Sequence, residues 1–281
     1  MSYPQLAVMN ISHRYFDLEE FFSSASASGY TCCELWTGAM HLYVDCHGYD
    51  SLERVRELSQ RYGVRIVGLC PEQNNPKPWN VAVRGEAGQK RILSYFKNVI
   101  DVAVELGAPQ ILVTSGWAYL DEPAEDAWAR SVAMLRSVCD YADTRGIRVA
   151  LEALQPSESV LVNTAQDVVR ILEAVDRPNL KACIDFGAME VAGDTIDGYF
   201  EVLGEKIVHT HFVDVGGGTT HLAWGDGERD MRADLEALMR HGYTGYVSAE
   251  TCDGRYYQDP SKATTQVIEM YRRVTAEMEA E

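Results

Sequence analysis

Short apolar runs alternate along the whole chain with longer stretches in which apolar positions recur every three to four residues. The runs "LAVMN", "TCCELW", "VRIVGL", "QILVTS", "RVALEA", "KACIDF", "IVHTHFVD" and "GYVSAE" predict eight strands. Between them, "DSLERVRELSQRYG", "GQKRILSYFKNVIDVAVELG" and "WARSVAMLRSVCDYADTRG" read as amphipathic helices that close on Gly63, Gly107 and Gly146. Glycine suits a helix C-cap, and the next strand begins within a few residues each time. Strand–helix alternation predicts a parallel sheet, and eight units in 281 residues predict an α/β fold, a (β/α)₈ TIM barrel forming a single domain over residues 1–281. No GxGxxG turn follows the first strand, which disfavours an open doubly wound sheet.

One position breaks the apolar pattern. "RVALEA" places Glu152 where a further apolar residue is expected, and a buried carboxylate is costly unless paired, protonated or bound to a metal. Three later strands end in the same manner, on Asp185 in "CIDFG", His211 in "HTHFVD" and Glu250 in "SAET". Taken singly, each has an ordinary explanation: a strand-end carboxylate paired with Arg or Lys, an aspartate capping a helix, a hydrogen-bonded core histidine. In a barrel, however, the C-terminal strand ends converge on one face, so the four side chains would meet. Three carboxylates and an imidazole then form a donor set for one divalent cation, Mn²⁺, Co²⁺, Mg²⁺ or Zn²⁺. His209 and His211 alternate along one strand and therefore point to the same side.

Composition narrows the partners. The formal charge of −17 opposes the phosphate backbone of nucleic acids. No window approaches the roughly 20 apolar residues needed to cross a bilayer, and no secretory signal pattern opens the chain, so a cytoplasmic protein is expected. Seven cysteines, odd in number and without a CxxC pair, read as buried free thiols. The glycine run in "VGGGTTH" is expected to be a lid or a plain loop, because no Lys or Arg lies between Lys206 and Arg229 to help hold a phosphate. The aromatic segment "GRYYQDP" either closes over substrate or packs between subunits, which leaves a homo-oligomer open.

At these residues the chain resembles the xylose-isomerase-like superfamily of sugar isomerases and epimerases, and within it the ketose 3-epimerase group. The matching stretches are "ELWTGAMH" (34–41), "CPEQN" with "PWN" (70–80), "LEALQPSES" (151–159), "GEKIVHTHFVD" (204–214), "THLAWGDG" (220–227) and "GYTGYVSAE" (242–250). The resemblance implies that Glu152, Asp185, His211 and Glu250 hold the metal. It also implies that Glu152 and Glu250 carry protons and that Glu158 contacts substrate hydroxyls. Trp36, His41, Glu72 and Trp117 complete the candidate substrate-binding set. Two positions depart from the pattern: Ala188 stands where many free-ketose epimerases place a histidine, and Trp117 where a histidine is expected for fructosamine substrates.

The expected reaction is inversion of C3 in a ketose or a fructoselysine-like fructosamine, through a cis-enediolate and two-carboxylate proton transfer. Aldose–ketose isomerisation and C-glycoside cleavage with a small second subunit remain as alternatives. More remote are an abasic-site endonuclease, which would need a basic groove and more histidine ligands, and a non-catalytic sugar-binding barrel.

Overall fold

The structure is a computed structural model that describes residues 3–73 and 78–280. Part of the predicted "CPEQN…PWN" stretch, residues 74–77, therefore lies outside the described residues. The strands are β1 (Gln5–Met9), β2 (Cys32–Trp36), β3 (Arg65–Cys70), β4 (Gln110–Thr114), β5 (Arg148–Glu152), β6 (Leu180–Asp185), β7 (Ile207–His211), β8 (Asp214–Gly216), β9 (Thr219–Leu222) and β10 (Tyr246–Ala249). Eight of them close a parallel barrel in the order β1-β10-β7-β6-β5-β4-β3-β2, while β8 and β9 pair antiparallel as a separate hairpin. The helices are α1 (Leu18–Ser28), α2 (Glu53–Tyr62), α3 (Glu86–Leu106), α4 (Ala124–Thr144), α5 (Ala165–Val175), α6 (Phe186–Ala192), α7 (Ile196–Leu203), α8 (Met231–Arg240) and α9 (Pro260–Glu279). Gly63 and Gly107 cap α2 and α3 in the left-handed conformation, and Gly146 adopts it two residues beyond the end of α4. No described helix is long and apolar enough to cross a membrane.

Each strand is buried on both faces, and side-chain alternation decides what each face meets. On β5, Val149 and Leu151 join the large core between strands and helices. Ala150 points inward and packs with Met9, Cys70, Leu112 and Cys183. Below that layer lie Ala7, Cys32 and Val67. Glu152 continues the inward series one step further up the barrel. The small inward residues leave room for the larger polar groups above them. All seven cysteines are free, and five of them are buried.

Two expectations need correction. The predicted seventh strand ran unbroken to Asp214, but the barrel strand ends at His211, and Phe212 makes the last cross-strand contact, donating its N–H to Ser248 O at 2.7 Å. Asp214 then turns the chain out of the barrel, because its carboxylate accepts the backbone N–H groups of Val215, Gly225, Gly227 and Arg229 at 2.8–3.0 Å. The glycine run is not a plain loop either. Gly217 and Gly218, with φ of 58° and 76°, form the two-residue turn joining β8 to β9.

Leu151 is fully buried between β5 and its covering helices. Leu151→Ala is expected to lower unfolding free energy by about 2–5 kcal/mol in denaturant melts.

Candidate metal centre and active site

The barrel register brings the four strand-end residues together. Asp185 on β6 lies directly beside His211 on β7, and Ser248 on β10 pairs with His211 from the other side, with Glu250 two residues on. Glu152 pairs with Cys183, two residues before Asp185 on the same strand. As a result, Nδ1 of His211 lies 2.9 Å from Glu152 Oε2, 2.9 Å from Glu250 Oε2 and 3.6 Å from Asp185 Oδ2. All four residues are largely shielded from solvent, and His211 is fully buried.

Hydrogen bonding does not account for this cluster. One imidazole nitrogen carries at most one proton, and neither nitrogen of His211 makes a well-aligned hydrogen bond among the described residues. Donors about 2.1 Å from a common divalent ion and at right angles to one another lie about 3.0 Å apart. The separations around His211 Nδ1 fit that arrangement, and carboxylate oxygen with imidazole nitrogen is the donor chemistry of a divalent cation. Asp185 serves two purposes, since its Oδ1 also accepts the Ala188 N–H and caps α6.

The same crowding governs the charges. Burial pushes Glu152 up to about 7; the Glu250 and Asp185 charges add to the shift, and His211 opposes it. Burial acts in the same direction at Glu250, but His211 and His221 outweigh it and hold that carboxyl down at about 2. Burial disfavours a charged His211, yet the surrounding acids draw a proton onto it, well above the ordinary histidine range.

Behind His211 sits a second buried group. Glu34 Oε2 accepts from His209 Nε2 at 2.9 Å and lies 3.3 Å from His211 Nε2, with all three side chains fully buried. Burial works against ionisation of Glu34, but the two imidazoles hold its carboxyl well below the usual carboxylate range. A carboxylate behind a histidine favours the orientation in which the opposite nitrogen would face a cation.

A family model described as "Xylose isomerase-like TIM barrel" matches residues 22–274. The chain belongs to this family. It is 31% identical over 268 residues to fructoselysine 3-epimerase of Shigella flexneri, covering 95% of this chain and 96% of that protein. Among solved structures, L-ribulose 3-epimerase superposes with a TM-score of 0.80 at 18% identity, covering 99% of this chain and 97% of that one. The IOLI protein, solved with a binding zinc atom, gives 0.79 at 22% identity over 97% and 98%.

In this xylose isomerase-like barrel the remaining candidates occupy the end of β2 and the loops above the strand ends. Trp36 Nε1 donates to Glu72 Oε1 at 2.8 Å, and the indole lies so close to Gly38 that a Cβ there would collide with it. His41 stands edge-on to Trp36, with Nδ1 against Asn10 and Nε2 against Phe16 O. Both its ring nitrogens are thus engaged by the protein. Trp117 is held through its backbone by Asn80 and leaves its buried indole N–H without a partner among the described residues. Glu158 Oε2 accepts from Gln155 N at 3.1 Å, and burial raises its carboxyl.

The aromatic segment also resolves. Tyr256 is buried, and its hydroxyl accepts from Ala223 N and donates to Asp226, whereas Tyr257 packs on Tyr15 and Arg14. Sequence reasoning missed His221, whose Nε2 lies 3.3 Å from Asp185 Oδ2 and 3.6 Å from Glu250 Oε2. The signal was present: Gly217-Gly218 flanked by Val215 and Thr219-Thr220 is a hairpin pattern.

Replacing one crowded carboxylate by its neutral isostere should relieve repulsion while removing a donor. Glu152→Gln is expected to raise the melting temperature of the metal-free protein by about 2–4 °C. The same change should abolish the further rise that Mn²⁺ gives the parent, both effects being read by scanning calorimetry.

Proposed function

We propose that the protein is a divalent-metal-dependent sugar epimerase that inverts C3 of a ketose or of a fructosamine of the fructoselysine kind. The observation that carries this reading is the placement of two carboxylates. Glu152 at the end of β5 and Glu250 after β10 stand on either side of the β6–β7 pair bearing Asp185 and His211. Likeness to fructoselysine 3-epimerase over nearly the whole chain supports the substrate class.

A C–H beside a carbonyl is a weak acid, so its removal needs both a placed base and stabilisation of the resulting charge. Glu152, Asp185, His211 and Glu250 would hold a divalent cation, which would supply Lewis-acid stabilisation of the negative charge developing beside the reacting carbon. One of Glu152 and Glu250, ionised, removes the C3 proton from one face, and the other, protonated, returns one to the opposite face of the planar enediolate. The reverse reaction exchanges their roles, as microscopic reversibility requires. Glu152 is buried and the Glu250 side chain is 12% exposed, so little water competes with either carboxylate.

The loops above the strands supply substrate contacts. Trp36, locked by Glu72, offers a flat apolar wall; Trp117 offers its free indole N–H; and Glu158 accepts from a hydroxyl or an amine. His41 acts on Trp36 by packing against it.

Turnover of fructoselysine with Mn²⁺ in D₂O, followed by NMR, is expected to place deuterium at C3 of an inverted product. Glu152→Gln and Glu250→Gln should each slow that exchange by about 10²–10⁴-fold. Deuterium confined to C1 or C2 would instead identify an aldose–ketose isomerase, and full exchange in both variants would sink the two-carboxylate scheme.

A further inference from the structure

His221 is carried on β9 of the hairpin, outside the barrel wall, yet its ring reaches the cluster at the barrel mouth. Its backbone φ is 58°, an uncommon state for a non-glycine residue and one that persists where surroundings impose it, often at ligand clamps. Several contacts fix the residue. The ring Nδ1 lies 2.9 Å from Thr220 Oγ1, which itself accepts from Gln155 Nε2 at 3.1 Å. Its carbonyl accepts the Cys252 N–H at 3.3 Å. Gly187 makes space for the ring, since a Cβ there would stand 3.3 Å from His221 Cε1 and 3.1 Å from Asp185 Oδ1. A hydroxyl partner at Nδ1 leaves Nε2 as the nitrogen that faces Asp185 and Glu250.

The separations complete one set. Asp185 Oδ2 lies 3.6 Å from His211 Nδ1 and 3.3 Å from His221 Nε2; Glu250 Oε2 lies 2.9 Å from the first and 3.6 Å from the second. Two carboxylate oxygens thus stand between two imidazole nitrogens, at spacings near the about 3.0 Å of neighbouring donors around one ion.

We propose that in the substrate-free protein His221 is a fifth protein donor to the cation, adding a second nitrogen to the four strand-end residues. This rests on the cation site proposed above. Five protein donors leave one place in a six-coordinate shell, and the donor that comes from a hairpin rather than a barrel strand is His221.

Pulsed electron paramagnetic resonance of the Mn²⁺-loaded full chain counts coordinated nitrogens directly. The parent should show two coupled imidazole nitrogens. His221→Asn, chosen because asparagine tolerates the left-handed backbone, should show one and should bind Mn²⁺ at least about 10-fold more weakly. One nitrogen in both proteins with equal affinity overturns the fifth donor while leaving the cation site intact, and two in both overturns it equally. A parent that takes up no Mn²⁺ overturns both readings.

Discussion

The arrangement of this barrel mouth follows from one electrostatic constraint: three carboxylates are gathered around a single imidazole nitrogen, at 2.9–3.6 Å, where little water reaches them. Like charges so placed repel, and the one proton that His211 can hold at Nδ1 answers only part of that repulsion. A divalent cation would answer the rest. The surroundings are consistent with that need, since Ala150 and Cys183 pack as small inward residues beneath the cluster and the Glu34 carboxylate lies 3.3 Å behind His211 Nε2. The hairpin, pinned by the four N–H groups bound to Asp214, brings His221 in from above.

The constraint also links stability to chemistry. In the proposed reaction, carboxylates that would destabilise an empty site serve as proton carriers, and burial and neighbouring imidazoles already hold Glu152 and Glu250 unequally. Asp185 joins the two levels in a single side chain: one oxygen caps α6, which anchors the carboxylate, and the other faces the cluster. In the proposed reaction, chemistry falls to residues at or just beyond the barrel strand ends, and substrate choice to Trp36 at the end of β2 with Glu72 and Trp117 in the loops after β3 and β4.

Much of the fold was legible because two periodicities alternate along the chain, and because glycine follows α2, α3 and α4 where a left-handed residue is needed. Glu152 was conspicuous for a physical reason. Both faces of a barrel strand are buried, so a carboxylate in "RVALE" cannot be excused as a solvent-facing position. The end of the seventh strand was less legible, since Phe212 and Val213 carry the apolar run past His211 and only the contacts of Asp214 reveal where the chain leaves the barrel. His221 was hidden similarly. Glycines read as flexibility, whereas here they form a tight turn that aims the histidine, and the closeness of residue 221 to residues 185 and 250 is a property of the folded chain alone.

The central claim is that one divalent ion belongs among these side chains. Crystals of the protein grown with Mn²⁺ and measured at the manganese absorption edge test it most directly. The account predicts a single anomalous peak per chain within bonding distance of Glu152, Asp185, His211 and Glu250. A peak located elsewhere, or none at saturating Mn²⁺, would contradict it.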